Sequence, residues 1–233
     1  MTTISCIVPV YNGARFVAEA LDSILAQSLP PTEIIVVDDG STDATPAVVD
    51  RYARFVTYVR QDNRGPGAAR NHGIALAHGD LLSFLDADDL WHVSKLERQL
   101  HALESNPTAA YCITQFRNVW LDEVADERDL LHDHAYAQPL PGYICQCLLG
   151  RRATFDVVGK FDEEKRFGED IDWYARADQA GMVKVVVDEP LVQRRLHGRN
   201  SSYAIYRSEA ARADMLLDLA TKNLKRHRRR GVD

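Results

Sequence analysis

Twice in the first hundred residues an apolar run ends directly in a cluster of carboxylates. Ile34 to Val37 leads into Asp38-Asp39-Gly40-Ser41-Thr42-Asp43, and Leu81 to Leu85 leads into Asp86-Ala87-Asp88-Asp89. With Ile4 to Val8 and Val56 to Val59, these runs are the strand candidates, and helical patterns separate them. Phe16, Ala20, Leu21, Ile24 and Leu25 recur at helical spacing, so a helix is predicted from about Ala14 to Gln27, ended by Pro30-Pro31. A second helix starts near Thr45, with Pro46 at its first position. A third runs from Gly67 to Ala77, and a fourth from Ser94 to Glu104 before Asn106 and Pro107. Such alternation predicts an α/β chain with a mostly parallel sheet. Open sheets of this kind bind ligands beyond the carboxyl ends of their strands, where both acid clusters fall.

The rest of the chain is read more coarsely. Asp122 to Pro141 is acidic and weakly patterned, and is expected to be a loop or a mobile flap over a site. Cys145 to Leu149 is apolar, Ile171 to Ala180 is a helix closed by Gly181, and Lys184 to Val187 is a last core strand. Ser208 to His227 is an amphipathic helix that leads into the basic end Lys225, Arg226, Arg228, Arg229 and Arg230. With 233 residues, 45% of them hydrophobic, the chain can bury one full core. A formal net charge of -6 argues against nucleic acid as a partner, because such proteins need a basic surface to displace counterions from phosphates. No basic leader is evident, and no run approaches the roughly 20 apolar residues of a membrane span. Cys6, Cys112, Cys145 and Cys147 are too few for a disulfide scaffold and read as reduced thiols of a cytoplasmic protein.

Three carboxylates as close as Asp86, Asp88 and Asp89 repel one another unless a cation compensates them. Mg²⁺ or Mn²⁺ suits oxygen ligands of this kind and completes its coordination with substrate phosphates. The competing reading is a turn and helix cap, positions that Asp also favours. A carboxylate in the Asp38-Asp39 cluster can accept hydrogen bonds from a pyrimidine imide or from ribose hydroxyls, and a plain strand-to-helix turn is its alternative. Two such clusters at one sheet edge together suggest a nucleotide diphosphate with its metal.

In this set of motifs the chain resembles glycosyltransferase family 2, with the GT-A fold. The pieces are Val8-Pro9-Val10-Tyr11-Asn12, the Val37 to Asp43 stretch, Gly67-Ala68-Ala69-Arg70-Asn71, and Phe84 to Trp91. Further along come Val158-Gly159-Lys160-Phe161-Asp162-Glu163, Gly168-Glu169-Asp170, and His197 with Asn200 and Ser201. The resemblance implies a Rossmann-like nucleotide-binding half at about residues 1–105 and an acceptor and base half at 106–205, in a single domain, with 206–233 as a helix and basic tail. It implies that Pro9, Tyr11, Asp38, Asp39, Arg70 and Asp86 bind the nucleotide, with Asp39 on the base. Asp88, Asp86 and His197 would serve the metal, Asp88 as the more direct ligand and Asp89 as a support. Glu169-Asp170 matches the acidic motif in which the aspartate is the general base of an inverting transfer. A positioned base of this kind contributes roughly 10²–10⁴-fold.

The implied donor is a UDP-, dTDP- or GDP-linked sugar, and the implied acceptor is a sugar or a lipid-linked hydroxyl. Gln193-Arg194-Arg195-Leu196-His197 departs from the glutamine-arginine-tryptophan motif of processive synthases, so one sugar per encounter is expected. The basic tail offers a contact to anionic lipid at the inner face of the membrane, although cations at a helix C-terminus are also ordinary dipole partners. Arg194 and Arg195 are read either as diphosphate ligands or as exposed arginines at a strand end, and Arg151 and Arg152 face the same choice. Trp91 and Trp173 are read as core or rim packing ahead of an acceptor pocket, and His132 and His134 carry no role.

Other classes fit less well. Gly65-Pro66-Gly67 lacks the third glycine of a dinucleotide fingerprint. An aspartyl phosphotransferase would leave Asp39 and Asp170 without purpose. A metal-dependent nucleotidyltransferase lacks a lysine in a Gly-rich first loop. A non-catalytic nucleotide-sugar or glycan binder remains as the alternative that is not an enzyme.

Overall fold

The computed structural model describes residues 2–126 and 137–200. The expected helix at 208–227, the basic tail, the boundary at 205, His132 and His134 lie outside the described residues.

The strands are β1 (Ile4–Val10), β2 (Glu33–Asp38), β3 (Thr57–Arg60), β4 (Leu81–Phe84), β5 (Leu90–Trp91), β6 (Tyr111–Trp120), β7 (Leu140–Pro141), β8 (Leu148–Arg151) and β9 (Lys184–Leu196). The helices are α1 (Val17–Leu25), α2 (Thr45–Asp50), α3 (Pro66–Leu76), α4 (Lys95–Ser105), α5 (Arg152–Val158) and α6 (Glu169–Gln179). The strands form one sheet in the order β3-β2-β1-β4-β8-β6-β9-β5, with β7 paired to β6. The first four strands in that order are parallel. β8 runs antiparallel to β4 and to β6, which makes the sheet mixed.

Side chains alternate across β1, so its two faces feed two cores. Cys6, Val8 and Val10 join Val17, Leu21 and Ile24 of α1 and Leu96 and Leu103 of α4. Ile7 joins Ala69 and Ile74 of α3 and Phe155, Trp173 and Tyr174 on the opposite face. Helix α3 lies close on the sheet because residue 73 is glycine: a Cβ there would stand 2.4 Å from Ile7 Cγ2. Trp91 and Trp173 are buried core residues, as the packing reading expects.

The sequence reading does not anticipate α5 or the short β5, and two further strands depart from it. β6 is a ten-residue strand that the sequence reading does not anticipate, and β9 continues nine residues past Val187, carrying the chain to His197. The acidic stretch after residue 121 contains a short 3₁₀ turn, Asp122–Val124, and later β7. Among the described residues no helix is long and apolar enough to cross a membrane.

Candidate active site

The carboxyl ends of β1, β2 and β4 deliver the expected residues to one edge. Pro9 is buried in register with Val37, and Tyr11, just past β1, is 54% exposed. Asn12, held at a positive φ of 50°, takes the Thr42 N–H on its side-chain oxygen at 2.8 Å. This locks the loop after β1 to the loop after β2.

Asp38 commits both oxygens inside the protein, accepting from Ser41 N at 2.7 Å and from the Tyr58 hydroxyl at 2.6 Å. Asp39 accepts from Gln61 Nε2 at 2.8 Å, Arg64 N at 2.9 Å and Gly65 N at 2.8 Å. It therefore shapes the segment that enters α3. Beside it an open depression of about 630 Å³ is lined by Gly40, Arg60, Gln61, Asp62 and Asn63.

Arg70, on α3, ties the two halves of the site together. Its guanidinium donates to Asp86 Oδ1 at 2.5 Å through one terminal nitrogen and to Glu169 through the other. Its Nε is buried with no partner among the described residues. The oxygens of Asp86, Asp88 and Asp89 gather within 4.8 Å of one another. Burial pushes the Asp86 carboxyl up, Arg70 opposes that, and the charge of Asp88 adds to it. Asp89 is pushed well up by burial first and by Asp88 and Asp86 next. Asp88 Oδ2 receives Asn200 Nδ2 at 3.0 Å and lies 3.1 Å from His197 Nε2. The His197 ring is itself stacked on Phe16, with centroids 4.5 Å apart.

Asp170 sits in the first turn of α6, behind Gly168, which adopts a left-handed conformation at φ 71°. Burial and the neighbouring Glu169 charge push its carboxyl up to about 6, against the pull of Arg70. A carboxylate poised there can hold a proton delivered by a substrate hydroxyl.

Three residues gain a place that the sequence reading did not give them. Gln146 Nε2 donates to Asp86 Oδ2 and to Asp89 Oδ2, each at 2.6 Å. Asn200 buttresses Asp88, although the motif named it without a role. Arg195 is neither an exposed arginine nor free for a diphosphate: it is 5% exposed, its N–H donates to Asp89 Oδ1 at 2.9 Å, and its side chain reaches Glu19 and the Asp88 carbonyl. Arg151 and Arg152 likewise serve the scaffold, donating to the carbonyls of Ala109 and Gly79 at 2.9 Å. None of these pairings has a periodic signature in sequence.

The sequence model of glycosyl transferase family 2 matches residues 5–159. The chain belongs to that family. An uncharacterised glycosyltransferase of Rickettsia typhi is 36% identical over 182 residues, covering 73% of this chain and 57% of the relative. One from Rickettsia prowazekii is 32% identical over 209 residues, covering 85% and 65%. The family 2 chain thus spans about three fifths of the length of these relatives. Among solved structures, TarS of S. aureus in complex with UDP-GlcNAc superposes with a TM-score of 0.69 at 22% identity, covering 85% of this chain and 60% of that one. The mannosyltransferase PcManGT of Pyrobaculum calidifontis, in complex with GDP-Man and Mn²⁺, gives 0.71 at 23% identity, covering 96% and 64%. The family 2 chain shares their GT-A fold.

Proposed function

We propose that the chain transfers a sugar from a nucleotide diphosphate donor to a hydroxyl acceptor, inverting the anomeric centre and adding one sugar per encounter. The observation that carries this reading is Arg70, which joins Asp86 at the edge of β4 to Glu169, the residue directly before Asp170. Through it, an acid cluster suited to a cation is linked to the helix turn that carries a carboxylate suited to a proton.

The nucleoside side falls to Pro9, Tyr11 and the Asp39 turn beside its open depression. Tyr11 offers an exposed ring for a base to lie on, and Asp39 keeps part of its hydrogen-bonding capacity beyond its three donors. Solved relatives of the same fold hold UDP-GlcNAc in one case and GDP-Man with Mn²⁺ in the other, which supports a nucleotide-sugar donor.

The donor set fits a hard divalent ion. Asp88 and His197 would hold it, with Asp86 beside them, and an imidazole in the set favours Mn²⁺ over Mg²⁺. When bound, such an ion supplies neutralisation of the charge that develops on the leaving diphosphate. Asp170 accepts the acceptor's hydroxyl proton as that oxygen bonds to the anomeric carbon. The bond from that carbon to the diphosphate oxygen breaks on the opposite face, hence inversion. Arg70 limits how far burial can raise Asp170, keeping it ionised at neutral pH.

The basic residues from Lys225 to Arg230 suit a lipid-linked acceptor held at an anionic membrane. The test of the function is a panel of UDP-, dTDP- and GDP-sugars with simple glycoside acceptors, with and without Mn²⁺. Release of nucleoside diphosphate that requires both one donor and Mn²⁺ is expected. Donor binding with no release for any acceptor or metal would instead mark a binding protein.

A further inference from the structure

Three chemically identical aspartates stand together at the end of β4, yet their surroundings treat them differently. Asp86 gives one oxygen to Arg70 and the other to Gln146. Asp89 gives one oxygen to the Arg195 N–H and the other to Gln146. Among the described residues Asp88 engages Oδ2 alone, with His197 and Asn200.

The carboxamide of Gln146 is what allows this partition. Its Nε2 carries two protons diverging by about 120°, and each points at a different carboxylate. The opposite orientation would aim a carbonyl oxygen at two like-charged groups, so the amide orientation is dictated by its neighbours. Gln146 is 5% exposed, and its backbone is fixed from several sides. The Trp91 indole N–H donates to the Gln146 carbonyl at 3.0 Å. Gln99 Nε2 donates to the Cys147 carbonyl at 2.8 Å, and Lys95 in turn holds Gln99 Oε1 at 2.8 Å. The Tyr174 hydroxyl donates to the Ile144 carbonyl at 3.1 Å. A side chain that rises from so firmly held a backbone, and is itself buried, restrains the acids it touches.

We propose that Gln146 is a positioning residue of the cation pocket: by bridging Asp86 and Asp89 it holds two of the three aspartates as fixed walls and leaves Asp88 as the carboxylate with an oxygen to give to a metal. This rests on the function proposed above and adds to it a residue outside the aspartate motif and the base motif. Outer partners of this kind typically change metal affinity by roughly 10–100-fold when removed.

The measurement is the dissociation constant for Mn²⁺, read from the free-ion EPR signal in the presence of UDP, of dTDP and of GDP in turn. Gln146→Met keeps the length of the side chain and removes both donors, and a loss of affinity of about tenfold or more is expected. Gln146→Asn keeps the donors on a shorter arm that reaches one carboxylate only, so an intermediate loss is expected; it also serves if Gln146→Met does not fold. Val49→Ala, a core change on helix α2 that touches none of the acids, matches a general loss of stability and should leave the constant unchanged. Unchanged or tighter Mn²⁺ binding in the two Gln146 variants, beside a wild-type chain that binds Mn²⁺, overturns the role of Gln146 alone. A wild-type chain that binds no Mn²⁺ with any of the three nucleotides overturns the metal-dependent reading itself, and this inference with it.

Discussion

Arg70 and Glu169 form an ion pair in which both side chains are nearly enclosed, 4% and 8% exposed. A charge so placed is strongly destabilising when its partner is removed, by about 3–5 kcal/mol. Arg70→Met should therefore lower the unfolding free energy by that order in urea titrations. Adding Glu169→Gln to it should restore part of the loss, because the stranded charge is gone. Equal stability of wild type and Arg70→Met would show that the pair is not enclosed in solution.

Asp170 sets the pH response, and its two consequences run in opposite directions. The carboxyl moves from an ordinary 3.8 to about 6 in the folded chain. Folding therefore favours its protonated form, so its contribution to stability is full below about pH 4 and is lost as pH rises through about 6. Proton acceptance needs the ionised form, so kcat/KM should climb through pH 6 and level off above about 7. A profile flat from pH 5 to 8 would remove Asp170 from the rate-determining proton transfer.

Replacing that carboxylate separates activity from stability. Asp170→Asn should abolish turnover while a nucleotide-sugar thermal shift persists, and should raise the melting temperature at pH 8 because no charge is forced into the pocket. Near-normal kcat in this variant would remove the base assignment.

Asp88 and Asp89 should fail in different ways. Asp88→Ala should leave the melting temperature without ligand close to wild type and erase the Mn²⁺-dependent stabilisation by nucleoside diphosphate. Asp89→Ala leaves the buried Arg195 N–H without an acceptor and should cost about 1–3 kcal/mol even without ligand. Identical behaviour of the two variants would contradict the division between them.

The parts of the site that sequence discloses are those attached to local signals. β1, β2 and β4 are continuous apolar runs, and the acids at their ends follow directly, so Asp39, Asp86 and Asp88 are legible at once. Asp170 enters through the resemblance alone, since the helix expected from sequence begins only at Ile171. β6 escapes notice because Gln115, Arg117 and Asn118 break its apolar pattern, and its pairing with β9 supplies what its composition does not. Gln146 and Arg195 escape for another reason: each acts on residues 57 to 176 positions away, and no spacing rule encodes such contacts.

The long reach of β9 has a consequence for how the protein comes into being. Asp88 leaves the ribosome more than a hundred residues before His197 and Asn200, its partners at the end of that strand. Contacts of such sequence separation form late, after the local helices and the parallel strands. The nascent amino-terminal half therefore holds an acid cluster without these two partners, and Asp88 meets them only once the final stretch of β9 has locked into the sheet.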